Sequence, residues 1–291
     1  MNDRPATNDE MTALCRMWTP SSFIAYYEWL YADFKWTYPR HLVPVAMALC
    51  DSRIRKIMLI VGPGSGKSQA LSIVYPSWLL GHDPTQTIIG VSGAENLAQG
   101  FMSAVMEIVA YNRVFHMTFP NVRPDKEAGW SNDKGAFVTG RRQGIPDSNF
   151  WSGGLTSKVL VGKHARTLIL DDLHSDDNSR TPQQCEEVVR KYYNTILGRA
   201  DPTGARFIMA GRRWHENDIY GQLQASEDWV VLRLPAERPG SQRLYHDVYV
   251  PDNLDCVFTD GWVHCFNGQV IQVRKDLPKP RPWIADFGLG T

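Results

Sequence analysis

Ile57-Met58-Leu59-Ile60-Val61-Gly62-Pro63-Gly64-Ser65-Gly66-Lys67-Ser68 runs from an apolar stretch straight into a glycine-rich loop closed by Lys-Ser. An apolar run of this length reads as a buried strand, and the glycines after it let the chain turn its N–H groups toward an anion. From Gln69 to Leu80, Ala70, Leu71, Val74, Trp78 and Leu79 recur at helical intervals, with Gly81 and Pro84 as the stop. Strand, glycine loop and helix in that order form a phosphate-binding loop, because the start of the helix aims its positive dipole end at the same point. The candidate nucleotide contacts are Gly62, Pro63, Gly64, Ser65, Gly66, Lys67, Ser68 and Gln69. Lys67 is placed to reach the β- and γ-phosphates of ATP, and Ser68 to hold Mg²⁺. The strict spacing wants a glycine at position 61, where this chain has Val61 and carries the glycine one place later, at Gly62. A flexible surface turn is the competing reading, and the flanking strand and helix patterns argue against it.

A phosphate loop alone serves kinases, switches and motors, so the second acidic motif decides more. Thr167-Leu168-Ile169-Leu170 ends in Asp171-Asp172. Such a strand buries its apolar run and delivers Asp171 to the Mg²⁺ shell beside Ser68. Asp172 then orients, or takes a proton from, the water that attacks the γ-phosphate. Additional-strand hydrolases mostly use glutamate there, so the shorter Asp172 has to stand closer. An exposed Asp-Asp turn is the alternative. His174, Asp176 and Asp177 follow and read as a solvated acidic loop; the other histidines show no metal-ligand spacing.

Composition narrows the class. The 291 residues are 43% hydrophobic, with 31 basic against 31 acidic side chains. Nucleic-acid contact therefore calls for a local patch and not a globally basic protein. Five scattered cysteines with no C-x-x-C pair argue against a disulfide framework or zinc ribbon. No apolar run approaches the roughly 18 to 20 residues that span a bilayer, and the polar start MNDRPATNDE lacks a signal peptide's centre, so a cytoplasmic setting is expected.

Along the chain, the first ten residues read as disordered, and an aromatic helix is expected over Ser21 to Trp36. Strand and helix then alternate as a parallel sheet requires: helix His41–Leu49, strand Thr87–Val91, helix Ala94–Tyr111, and, after the Thr167 strand, helix Pro182–Leu197, strand Arg206–Ala210, helix Asn217–Leu223 and strand Trp229–Leu234. Between Pro120 and Gly162 hairpins are expected beside the main sheet. The fold class is thus α/β, a P-loop nucleoside-triphosphatase of the additional-strand type with a mostly parallel sheet flanked by helices. Residues 1–37 read as a helical extension and residues 38–239 as the P-loop ATPase domain. Residues 240–291 read as a linker or small β subdomain, with Asp286 at the threshold of a truncated further domain.

Several segments in order resemble the ATPase half of the large terminase subunit of tailed bacteriophages. They are Gly64 to Ser68 followed by Pro76-Ser77-Trp78-Leu79-Leu80-Gly81-His82-Asp83-Pro84, Gly162-Lys163-His164-Ala165 leading to Asp171-Asp172, Asp201-Pro202-Thr203-Gly204-Ala205, Arg213-Trp214-His215-Glu216-Asn217-Asp218-Ile219, and Leu232-Arg233-Leu234-Pro235-Ala236. The resemblance implies a motor that drives double-stranded DNA into a procapsid, working in the host cytoplasm as a homo-oligomeric ring with portal and small-terminase partners. It puts the coupling motif at Gly211, Arg212 and Arg213, and the adenine near His41. Pro63 stands where some members carry a loop arginine, so an activating cation has to come from elsewhere, with Lys163, Arg166, Arg212 and Arg213 as candidates. Arg141-Arg142 and Arg190-Lys191 are candidate phosphate contacts for DNA. Family members continue into a metal-dependent nuclease domain, for which this chain is too short, so ATP hydrolysis without DNA cleavage is expected. A superfamily-2-type helicase and a non-hydrolysing nucleotide-binding regulator are the alternatives.

Overall fold

A computed structural model describes residues 6–160, 162–224 and 228–234, together with the backbone of short strands between residues 242 and 272. The helices are α1 (Asn8–Cys15), α2 (Pro20–Leu30), α3 (Val43–Cys50), α4 (Tyr75–His82), α5 (Glu95–Tyr111), α6 (Arg113–Thr118), α7 (Pro182–Lys191) and α8 (Ile219–Gln224). The strands of the main sheet are β1 (Lys56–Val61), β2 (Ile88–Ser92), β3 (Trp130–Ser131), β4 (Gly135–Ala136), β5 (Phe150–Gly154), β6 (Thr167–Asp171), β7 (Arg206–Gly211) and β8 (Val230–Leu234). They lie in the order β3-β4-β5-β2-β6-β7-β1-β8. All pairings from β5 through β8 are parallel, and only the β3-β4-β5 edge is antiparallel.

Alternation along the strands divides the core into two layers. Ile57, Leu59, Ile169 and Ile208 face a cluster built with Phe23, Tyr26, Leu49, Trp78 and Val105 from α2 to α5. Met58, Leu168, Leu170, Phe207 and Met209 face the opposite cluster, with Val188, Ile219, Tyr220 and Leu223 from α7 and α8. A sheet buried on both faces needs apolar side chains on both, which is why β1 and β6 are continuous apolar runs. All five residues of β6 are buried.

Three expectations are corrected. Residues 8–10 are helical: Thr7 and Glu10 form a capping box at the start of α1, and α1 is tied down by Trp78 Nε1 donating to Cys15 O at 3.1 Å and Arg16 Nε donating to Thr118 O at 2.6 Å. In the 120–162 stretch only β3 and β4 form a hairpin edge, whereas β5 enters the main sheet parallel to β2, pairing Ile88 with Phe150 through Ser92 with Gly154. The helix after the glycine loop is a π-helix over Gln69–Val74 before α4 takes over. Pro76 has no N–H for Ser72 O and its ring would collide with that carbonyl, and the wider π turn removes the conflict. Beyond residue 241, β9 (Gln242–Tyr245) pairs antiparallel with β10 (Val248–Pro251), and β11 (Cys256–Thr259), β12 (Trp262–Cys265) and β13 (Val270–Gln272) form a second antiparallel sheet. Asp286 lies outside the described residues. Among the described residues no helix is long and apolar enough to cross a membrane.

Candidate functional site

β1 is a central strand, so its carboxyl end is fixed by neighbours on both sides: Ile60 is in register with Gly211 of β7, and Val61 with Leu234 of β8. Val61 is buried in the core, so the loop begins one residue later than the strict spacing. Gly64 and Gly66 then take left-handed φ values of 71° and 80°, which a side chain would strain. Gly66 also has Pro39 against it, 3.1 Å from where a Cβ would sit. The first helical hydrogen bond after the loop runs from Ala70 N–H to Gly66 O at 3.1 Å. The N–H groups of Lys67, Ser68 and Gln69 therefore precede the ladder at the helix start, as donors for an anion. His41 Nε2 lies 2.9 Å from Ser65 O and supports the loop from outside. Ser65 Oγ is buried with no hydrogen-bond partner among the described residues.

Lys67 and the two aspartates converge. Lys67 is buried, and its Nζ stands 2.9 Å from Asp172 Oδ2. Asp171 is 3% exposed and accepts a 2.8 Å hydrogen bond from Ser72 Oγ, while its buried Oδ1 forms no hydrogen bond among the described residues. Burial pushes its carboxyl up to about 6; the Ser68 hydroxyl, Lys67 and the Ser72 hydroxyl favour the charged form, and Asp172 opposes it. An orphaned buried carboxylate oxygen beside a serine hydroxyl is a donor set that a hard divalent cation fits. The π turn that accommodates Pro76 is the segment that carries Ser72 to Asp171. Asp172 itself has φ 44°, so its side chain leaves the strand direction of Asp171 and turns to Lys67.

The Arg213 to Ile219 block is a structural knot at the end of β7. Asp218 is fully buried and binds Arg213 Nε at 2.9 Å through Oδ1. It also accepts the N–H groups of Trp214 at 2.8 Å, His215 at 3.2 Å and Gly221 at 2.7 Å. Arg213 Nη2 donates further to His215 O and Glu216 O. His174 is not part of a solvated loop. It is 1% exposed, its Nε2 accepts the Ile219 N–H at 3.1 Å, and its Nδ1 lies 2.7 Å from Ser179 Oγ. Accepting at Nε2 requires the proton on Nδ1. Burial, with a smaller contribution from Arg213 against the opposing pull of Asp218, lowers its pKa to about 4. Nothing in H-S-D-D as a string distinguished this buried bridge from an exposed acidic turn.

The remaining site residues divide between the two edges of the sheet. Arg212 is at the carboxyl edge with the glycine loop, its guanidinium 3.8 Å from the Trp214 ring centroid and 4.0 Å from Asp176. Lys163 and Arg166 precede β6 and so lie at the opposite edge, Lys163 over the Trp151 ring at 5.6 Å and Arg166 3.7 Å from Asp83. Of the basic pairs, Arg141 is 3.2 Å from Asp125, and Arg190 is paired with Glu187 at 2.7 Å. The aromatic stretch expected as one helix to Trp36 leaves the helix at Leu30 and forms a shelf beside the loop. Gln69 Nε2 donates to the Tyr31 hydroxyl, and Tyr31 packs against Trp36 at 5.1 Å and Phe34 at 6.4 Å, both of them exposed.

Compared with protein-family models and with curated proteins, the chain matches none.

Proposed function

We propose that this chain is an ATP-hydrolysing motor for double-stranded DNA, the ATPase part of a large terminase subunit. The observation that carries the reading is the convergence of Lys67, Ser68, Asp171 and Asp172 between the carboxyl ends of β1 and β6, with an ion pair at 2.9 Å and a buried Asp171 oxygen that forms no hydrogen bond among the described residues. β7 stands between those two strands, which supports the additional-strand type. Lys67 neutralises charge on the terminal phosphates, and the glycine-loop N–H groups hold them. Asp172 is drawn off Lys67 when phosphate takes its place and is then free to orient the attacking water. Ser68 and Asp171 would hold Mg²⁺, which when bound neutralises the developing charge on the phosphoryl oxygens.

The nucleoside end of the site follows from chain order. Lys67 and Ser68 serve the terminal phosphates, and Gln69 beyond them leads to the Tyr31, Phe34 and Trp36 rings, a shelf on which a purine base stacks. His41 supports the loop there from Ser65 O. Arg212 is the coupling residue of the β7 end, because Arg213 is committed to Asp218. DNA contacts go to phosphates, hence salt-sensitive and sequence-independent, and the ring, portal, small subunit and procapsid belong to the same reading. The test is a pair of variants: Lys67→Ala loses ATP binding and turnover together, whereas Asp172→Asn keeps binding and loses turnover. Undiminished turnover in either variant rejects this assignment of the site. Tight ATP binding with no turnover by the unaltered protein, with DNA and partners supplied, favours the regulator.

A further inference from the structure

We propose that Tyr220 is a positioning residue that sets the Asp172 carboxylate through the backbone on either side of it. The inference rests on the reading of Asp172 as the group that handles the attacking water. Asp172 occupies the left-handed region at φ 44°, uncommon and costly for a residue with a side chain, so its surroundings have to hold it there. Three hydrogen bonds do so. Its own N–H donates to Ala210 O at 2.9 Å, its carbonyl accepts the Gly93 N–H at 3.0 Å, and the next N–H, of Leu173, donates to the Tyr220 hydroxyl at 3.2 Å. The Tyr220 hydroxyl in turn donates to Ala210 O at 3.2 Å, so one oxygen of β7 anchors the Asp172 turn both directly and through the phenol.

Two glycines make room for this arrangement. A Cβ at Gly211 would overlap the Tyr220 hydroxyl, and a Cβ at Gly93 would sit 2.7 Å from both Asp172 O and Leu173 O. Tyr220 is fully buried, and burial, with Asp172 and Asp171 nearby, holds its phenol well above the ordinary range, so it stays a donor. Its helix, α8, is fastened at the same end by Asp218 accepting the Gly221 N–H and by His174 accepting the Ile219 N–H. The knot beside Arg212 is therefore joined through Tyr220 and His174 to the turn that aims Asp172. A displacement at the end of β7 moves the water-orienting carboxylate by way of a hydroxyl bonded to Leu173 N–H and Ala210 O.

The experiment uses the full chain and Tyr220→Phe, which keeps the ring and removes only the hydroxyl. ATP affinity is expected to stay within about twofold, while the single-turnover hydrolysis rate falls about ten- to a hundredfold, since small misplacements of a reacting group cost that much. The backbone chemical shifts of Asp172 are expected to move away from their left-handed position, and 4-aminophenylalanine at position 220, which restores a donor, returns both rate and shifts. A wild-type rate in Tyr220→Phe, or unmoved Asp172 shifts, overturns the proposal. If the unaltered protein hydrolyses no ATP, the ATPase reading fails, and the shifts still decide whether Tyr220 holds the turn.

Discussion

Asp171→Asn is expected to stabilise the metal-free protein at neutral pH while ending the Mg²⁺-dependent turnover proposed for it. The native carboxyl has a pKa of about 6 because it is buried, against about 3.9 in an unfolded chain. The native state therefore holds a proton that the unfolded state has released, and stability contributed by this group falls as pH rises from about 4 to about 6 and is then constant. Two pH units correspond to about 3 kcal/mol, the cost of keeping Asp171 ionised without a cation. Asparagine removes that cost, accepts the Ser72 hydroxyl as before and places an amide where Oδ1 has no formed hydrogen bond. Thermal unfolding in a chelator at pH 8 should show a gain of roughly 6–12 °C for the variant, from about 2–4 °C per kcal/mol for chains of this general size, and little gain near pH 4. Mg²⁺ with nucleotide should then stabilise the unaltered protein more than the variant. A variant less stable at pH 8, or equally stabilised at both pH values, would refute the reasoning.

His174 works in the opposite direction: its lowered pKa of about 4 means stability present above about pH 6.5 and lost as pH falls toward 4, by about 3 kcal/mol. His174→Gln should flatten that acid limb in denaturant titrations, and an unchanged limb would show that the imidazole is not buried neutral. Asp218→Ala leaves Arg213 and three backbone N–H groups without their acceptor, and should cost about 3–5 kcal/mol in urea unfolding; a loss under 1 kcal/mol would dissolve the knot. Trp36→Ala should raise the KM for ATP about tenfold at unchanged kcat, the worth of one stacked base, and an unchanged KM would remove the shelf from the nucleotide site.

The parts legible in the sequence are those where one local pattern has one structural solution. The apolar run ending at Val61 and the one ending at Leu170 could only be buried strands, and Gly64 and Gly66 do take left-handed backbone. β5 was hidden because Ser152-Gly153-Gly154 has no strand propensity; those residues are selected by close packing, Gly90 having the Ser152 hydroxyl 2.7 Å from where a Cβ would be. The capping box at Thr7 and Glu10 is legible in its spacing, and it starts a helix within an otherwise polar segment. His174, Tyr220 and the role of Asp218 depend on contacts across 3 to 47 positions of chain, which periodicity does not encode. The split of Arg212 from Lys163 and Arg166 to opposite edges was legible, because residues before one parallel strand and after its neighbour lie at opposite ends of the sheet.

Steady-state ATP hydrolysis with Mg²⁺ across protein concentration, with and without double-stranded DNA, for the unaltered chain and Asp172→Asn, tests the central claim most directly. A DNA-driven motor completed by a neighbouring subunit predicts turnover that rises more steeply than protein concentration, increases with DNA and vanishes in Asp172→Asn. Nucleotide bound with no turnover under any of these conditions, or turnover that survives in Asp172→Asn, would contradict it.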